Sequence, residues 1–243
     1  MTRQAGLRAG LLSFAHCSPT GRENIKMNET ENRLKRLAAR TSLYQVLAQS
    51  LNYPDEALAG IFSSGYYHQT VADCLDILGI PGIGGLQPDL ENLKNELQQP
   101  GMLLELERDY TRMCFSSKPR LVYLFESVYK EGKLYDESTF QIARLYYDAG
   151  LKVEEDFRLP PDHIAVELEF MSFLSFKEME GVRSGDRKIT GYAIELQKTA
   201  LDRHVRDFAL SVAGRMEKHA GTGFYRFTAK LVKAFFSNPS NLE

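Results

Sequence analysis

Leu159-Pro160-Pro161-Asp162-His163-Ile164-Ala165-Val166-Glu167-Leu168-Glu169-Phe170-Met171-Ser172-Phe173-Leu174 is the stretch that decides how this chain folds. Two prolines with fixed φ and no backbone N–H force an extended or turn conformation at 160–161. Asp162 then suits the N-cap of a helix, because its carboxylate can accept the free N–H groups of the first turn. Beyond it Ile164, Leu168, Met171 and Leu174 recur at helical spacing and give one apolar face. His163 and Glu167 lie four apart, so the spacing predicts them side by side where that helix begins. An imidazole and an acid at a rigid corner entering a core call for a reason.

Working outward, helical periodicity is found almost everywhere. Leu34, Leu37, Ala38, Thr41, Tyr44, Leu47, Ala48 and Leu51 trace a stripe that begins near Glu29 and stops at Asn52-Tyr53-Pro54. Shorter helices are expected over 55–62, 66–78, 90–97, 102–115 and 138–148. A helix carrying Leu201, Val205, Phe208, Val212 and Met216 follows, and a last one carries Phe224, Phe227, Leu231 and Phe235. Leu121 to Tyr129 reads equally as a buried strand or a helical turn, but no partner strands accompany it. The sum predicts an all-α fold, one helical domain of about ten helices over 29–238. Residues 1–28 are expected to be a disordered extension, with Met27 a plausible start, and 239–243 a tail. Arg3, Arg8 and the apolar patch 10–15 imitate an export signal, yet the patch is short and no small-residue cleavage site follows. Polar, glycine-containing stretches at 79–85 and 178–191 are expected to act as hinges, the second as the swap point if dimers form.

Composition excludes several functions. The net charge of -2 lacks the basic excess of a nucleic-acid binder, and no apolar run reaches membrane-spanning length. Three cysteines, Cys17, Cys74 and Cys114, are widely spaced without a CxxC, which fits a reducing cytosol better than a zinc site or disulfide framework. A helical metal site needs carboxylate–His pairs on facing helices, and Asp162, His163 and Glu167 supply one cluster only. His68, His204 and His219 have no ExxH or HxxxE partner, and His16 lies in the N-terminal extension. The glycines of 79–85 are not followed by Lys-Ser/Thr, and no nucleophile elbow is present. For Asp162 and His163 the plain alternative is a cap and a loop-fixing imidazole; for the aromatics of 123–129 it is core packing.

Two motifs together carry a resemblance. Leu159-Pro160-Pro161-Asp162-His163 with the helix after it, and Tyr123-Leu124-Phe125-Glu126-Ser127-Val128-Tyr129 after a proline-containing loop, resemble the signatures of the TorD/DmsD/NarJ redox-enzyme maturation chaperones. Asp109-Tyr110-Thr111-Arg112 upstream, Leu201-Asp202-Arg203-His204-Val205 downstream and Phe224-Tyr225 fit the same order. Many members have Glu where this chain has Leu159, which points toward the nitrate-reductase delta-subunit type; Phe208 stands where a Trp is common. The resemblance implies a TorD-like helical fold and a cytoplasmic chaperone rather than an enzyme, with no bound cofactor. Its partners would be the twin-arginine leader and the apoprotein of a molybdoenzyme, and its state a monomer or a domain-swapped dimer. A leader offers an arginine pair and an apolar stretch, so its receptor needs an apolar groove edged with acid. On that reading Tyr123, Phe125 and Tyr129 line the groove, Glu126 and Asp162 meet guanidinium groups, and Pro161, His163 and Glu167 complete the site. The competing readings are a small helical metal- or nucleotide-dependent hydrolase and a structural subunit of a respiratory complex.

Overall fold

The computed structural model describes residues 21–80, 83–152 and 159–238. They form α1 (Gly21–Leu51), α2 (Glu56–Ser63), α3 (Tyr66–Leu78), α4 (Ile83–Leu97), α5 (Met102–Thr111), α6 (Glu126–Lys130) and α7 (Glu137–Asp148). Then come α8 (Ile164–Ser184), α9 (Arg187–Ala200), α10 (Arg206–His219) and α11 (Gly223–Phe236). Two π-helical turns, Arg112–Ser116 and Leu201–Val205, continue α5 and join α9 to α10. Among the described residues there is no sheet, only one isolated antiparallel bridge, Phe125 with His163.

The long helices set the architecture. α1 lies along α8, and α10 pairs with α11. Leu43, Leu47 and Leu51 of α1 and Leu168, Met171 and Leu174 of α8 are buried, as their spacing requires, in one continuous core that reaches Phe235 and Phe236. Tyr44 meets Phe235 edge to face at 5.1 Å, which ties α1 to α11 as well. Side-chain caps start several helices: Asp55 accepts from Leu58 N–H, Asp186 from Lys188 and Ile189, and Thr222 from Tyr225.

The α1–α8 seam also holds a polar joint. Glu178 takes Arg40 Nη2 at 2.8 Å and Arg33 Nη2 at 2.9 Å, and Gln197 Nε2 of α9 donates to it at 2.8 Å. Arg40 and Glu178 are both buried, and Arg40 Nε adds a bond to Ser175 Oγ. One carboxylate therefore fastens three helices.

Three boundaries differ from the sequence expectation. α1 starts at Gly21 rather than Glu29, so 21–28 extend the helix instead of belonging to a disordered tail. α4 starts at Ile83, inside the expected connector, whose Pro81 and Gly82 lie outside the described residues, as do 1–20 and 239–243. The expected hinge at 178–191 is instead a tight helix–helix turn. Gly185 ends α8 in the left-handed conformation (φ 72°) and Asp186 caps α9 at once. The two helices touch so closely that a Cβ on Gly181 would sit 2.5 Å from Thr190 Oγ1.

Candidate functional site

The segment 121–125 alternates: Val122 and Leu124 are buried, while Leu121, Tyr123 and Phe125 are half-buried on the other side. That is the period of an extended backbone, and α6 begins at its end. Phe125 is then bridged to His163. Glu126 N–H donates to Asp162 O and Ile164 N–H to Leu124 O, each at 2.9 Å. Two segments that are remote in sequence are thus stapled where two helices, α6 and α8, begin.

The staple decides the capping. Its bond to Leu124 makes Ile164 the first residue of α8, so His163 is the N-cap, and its Nδ1 accepts from Ala165 N–H at 3.2 Å. Asp162 does not cap its own helix as expected. Its Oδ2 accepts from Ser127 N–H at 3.0 Å and Ser127 Oγ at 2.6 Å, in the first turn of α6. Each half of the site therefore organises the other. Tyr146 of α7 donates to Pro161 O at 2.8 Å and fixes the turn from outside.

Glu126 and Asp162 are fully buried, so neither carboxylate is presented to solvent. Glu126 Oε1 pairs with Lys130 at 2.6 Å and its Oε2 with His204 Nδ1 at 2.8 Å. His204 comes from the π turn, and Lys130 also donates to Arg203 O there. Glu167 and His163 are not paired side chains: the Glu167 carboxyl has no hydrogen-bond partner among the described residues, and His163 packs against Phe125 instead. Burial, reinforced by the Glu126 and Asp162 charges, raises the Glu167 pKa well above the usual carboxyl value.

Above these groups lies an aromatic rim. Tyr123 and Tyr129 meet edge to face at 6.4 Å, Tyr129 Oη donates to Tyr123 O at 3.0 Å, and Tyr129 rests on Phe208 at 5.4 Å. All eight residues named from the sequence thus fall in one region. Pro161 is held there by Tyr146, and Glu167 lies in the first turn of α8, its N–H donating to His163 O at 3.0 Å. His204, Ser127, Tyr146 and Arg215 were not among them. His204 and Ser127 lie inside the quoted motifs, but their partners are 78 and 35 residues distant. Among the described residues no group of three or more His, Cys, Asp or Glu is placed to hold a metal ion, and no helix is long and apolar enough to cross a membrane.

The His163 cap makes a pH prediction. Burial holds its pKa down at about 4 against 6.5 for a free imidazole, with Asp162 opposing. A depressed value means that the folded state binds fewer protons. The stability it contributes is present above 6.5 and is lost as pH falls from there toward 4. Glu167 acts in the opposite sense, because its raised pKa favours folding as it becomes protonated. His163→Asn keeps a capping acceptor without a titrating ring. It is expected to remove up to about 1.4 kcal/mol per pH unit from the acid-side slope in urea denaturation. An unchanged slope would mean that His163 does not control acid stability.

The model of the nitrate reductase delta subunit family matches residues 84–213, a stretch that includes both motifs and His204. Chaperone protein TorD of Vibrio cholerae serotype O1 is 26% identical over 133 residues, 54% of this chain and 59% of its own length. The TorD of Escherichia coli O45:K1 is 30% identical over 129 residues, 53% of this chain and 59% of its own. That of Shigella boydii serotype 18 is 28% identical over 194 residues, 78% of this chain and 89% of its own. The chain therefore spans 59% of the length of the first two of these relatives. A solved structure of a candidate redox enzyme maturation protein from Archaeoglobus fulgidus shares 22% identity, with a TM-score of 0.49, over 79% of this chain and 91% of that one.

Proposed function

Since the chain belongs to the nitrate reductase delta subunit family, we propose that it is a cytoplasmic maturation chaperone of a molybdenum-containing oxidoreductase. It binds the enzyme's twin-arginine leader or its apo form, helps cofactor insertion and delays export. The observation that carries this reading is the staple between the two motifs. It sets a half-exposed rim of Tyr123, Phe125 and Tyr129 over the buried acids Glu126 and Asp162. A rim of that kind suits a peptide that is apolar and carries guanidinium groups. Pro161, Asp162, His163, Glu126 and Glu167 act in this account as the frame that positions the rim. The names of the relatives, chaperone proteins, agree with it.

Titration calorimetry of the full chain against a twin-arginine leader peptide from a molybdoenzyme tests the reading. A Lys-Lys version of the same peptide is the control. Micromolar or tighter binding is expected, with the control about tenfold or more weaker, because an ammonium cannot stack as a planar guanidinium does. Equal affinity for both peptides would remove arginine recognition from the function. The family's description favours one alternative, a structural subunit of the enzyme itself. Stable co-purification with mature, cofactor-loaded enzyme would establish that alternative, whereas a chaperone holds the apo form and releases it.

A further inference from the structure

The rim is not empty of guanidinium. Arg215 of α10 lies over both tyrosines, its Cζ 5.8 Å from the Tyr123 ring centre and 5.9 Å from that of Tyr129. We infer that the Tyr123–Tyr129 pair is a binding place for a partner's arginine side chain, and that Arg215 fills it in the free protein as a displaceable stand-in. The inference rests on the arginine-recognition part of the function proposed above.

The geometry separates this role from simple packing. Arg215 is exposed, and among the described residues its guanidinium meets no carboxylate. Among the described residues its one hydrogen bond, from Nη1 to Leu121 O, is long at 3.3 Å. The rings do not need it for their position. Tyr129 is held by Phe208 and by its own bond to Tyr123 O, and Tyr123 continues the stretch that Phe125 staples to His163. Two fixed rings with a loosely held cation over both make a receptor already occupied. Contacts of this kind at an exposed position are weak, so an incoming arginine can exchange with Arg215 at little net cost. The affinity of the site for that arginine is correspondingly lowered by the fraction of time Arg215 is in place.

The test uses the full chain and Arg215→Ala, with acetyl-Arg-Arg-amide as probe and acetyl-Lys-Lys-amide as control. The chain has no tryptophan, so ring signals of labelled tyrosines are followed by NMR. Arg-Arg is expected to shift the Tyr123 and Tyr129 signals at millimolar concentration and to bind the variant about two- to fivefold tighter than the parent, the range of one exposed cation–π contact. Lys-Lys should gain less, and Tyr123→Leu added to Arg215→Ala should abolish the gain. Equal binding of Arg-Arg to parent and variant, or no response of these two rings in the variant, would overturn the inference. So would an equal gain for Lys-Lys, which would reduce the effect to the loss of one positive charge. If the dipeptide behaves as expected while a whole leader binds to neither chain, the arginine place stands and the leader reading fails.

Discussion

Leu168→Asp is expected to leave no folded protein. The side chain is fully buried on the face of α8 that builds the common core with α1. Truncating a buried leucine to alanine costs roughly 2–5 kcal/mol, and Leu168→Asp gives up the same apolar burial. The new carboxyl adds the penalty of burying an unpaired acid, itself several kcal/mol whether it ionises or takes up a proton. Together these exceed what a domain with a stability of about 5–15 kcal/mol can comfortably lose. Leu168→Met, which conserves volume, should cost less than about 1.5 kcal/mol and serves as the control. Circular dichroism with thermal melting reads both variants. A Leu168→Asp protein that melts cooperatively near the parent temperature would show that this face of α8 is not core.

Glu178→Ala should cost about 3–5 kcal/mol, the range for removing one partner of a buried ion pair. Arg40 loses a carboxylate at 2.8 Å in an interior where its side chain is only 4% exposed, and Arg33 and Gln197 lose the same anchor. The damage comes from the charge left behind more than from the bond removed. Glu178→Leu combined with Arg40→Met should therefore recover most of the loss in urea denaturation. If the single and double variants are equally destabilised, the joint contributes by its shape and not by its charge.

How far the sequence can be read is visible at individual residues. Ile164, Leu168, Met171 and Leu174 are all at most 1% exposed, as a period of 3.6 demands. The alternative left open for 121–129 resolves into an extended half and a helical half, which an isolated apolar run cannot reveal. Asp162 is a better intrinsic N-cap than His163, yet the staple assigns α8 to the imidazole and turns the carboxylate to α6. That choice is tertiary, since it depends on a bond to Leu124. Glu178 reads as part of a polar hinge in the sequence because its partners Arg33 and Arg40 are 145 and 138 residues away. His204 has no ExxH or HxxxE partner in the sequence, and the acid it meets is Glu126, across the fold. Periodicity reports the faces of helices; it carries no information on which polar groups from distant segments meet.

The bridge from Phe125 to His163 has one more consequence. It brings the two ends of the chain between them, which carries α6 and α7, together at one point. The entropy of closing such a loop grows only with the logarithm of its length, so that doubling it costs only about 0.6 kcal/mol. Changes of length in the connection between α6 and α7 can therefore accumulate at small entropic cost. The junction of the two motifs can then stay as it is while the α6–α7 connection varies.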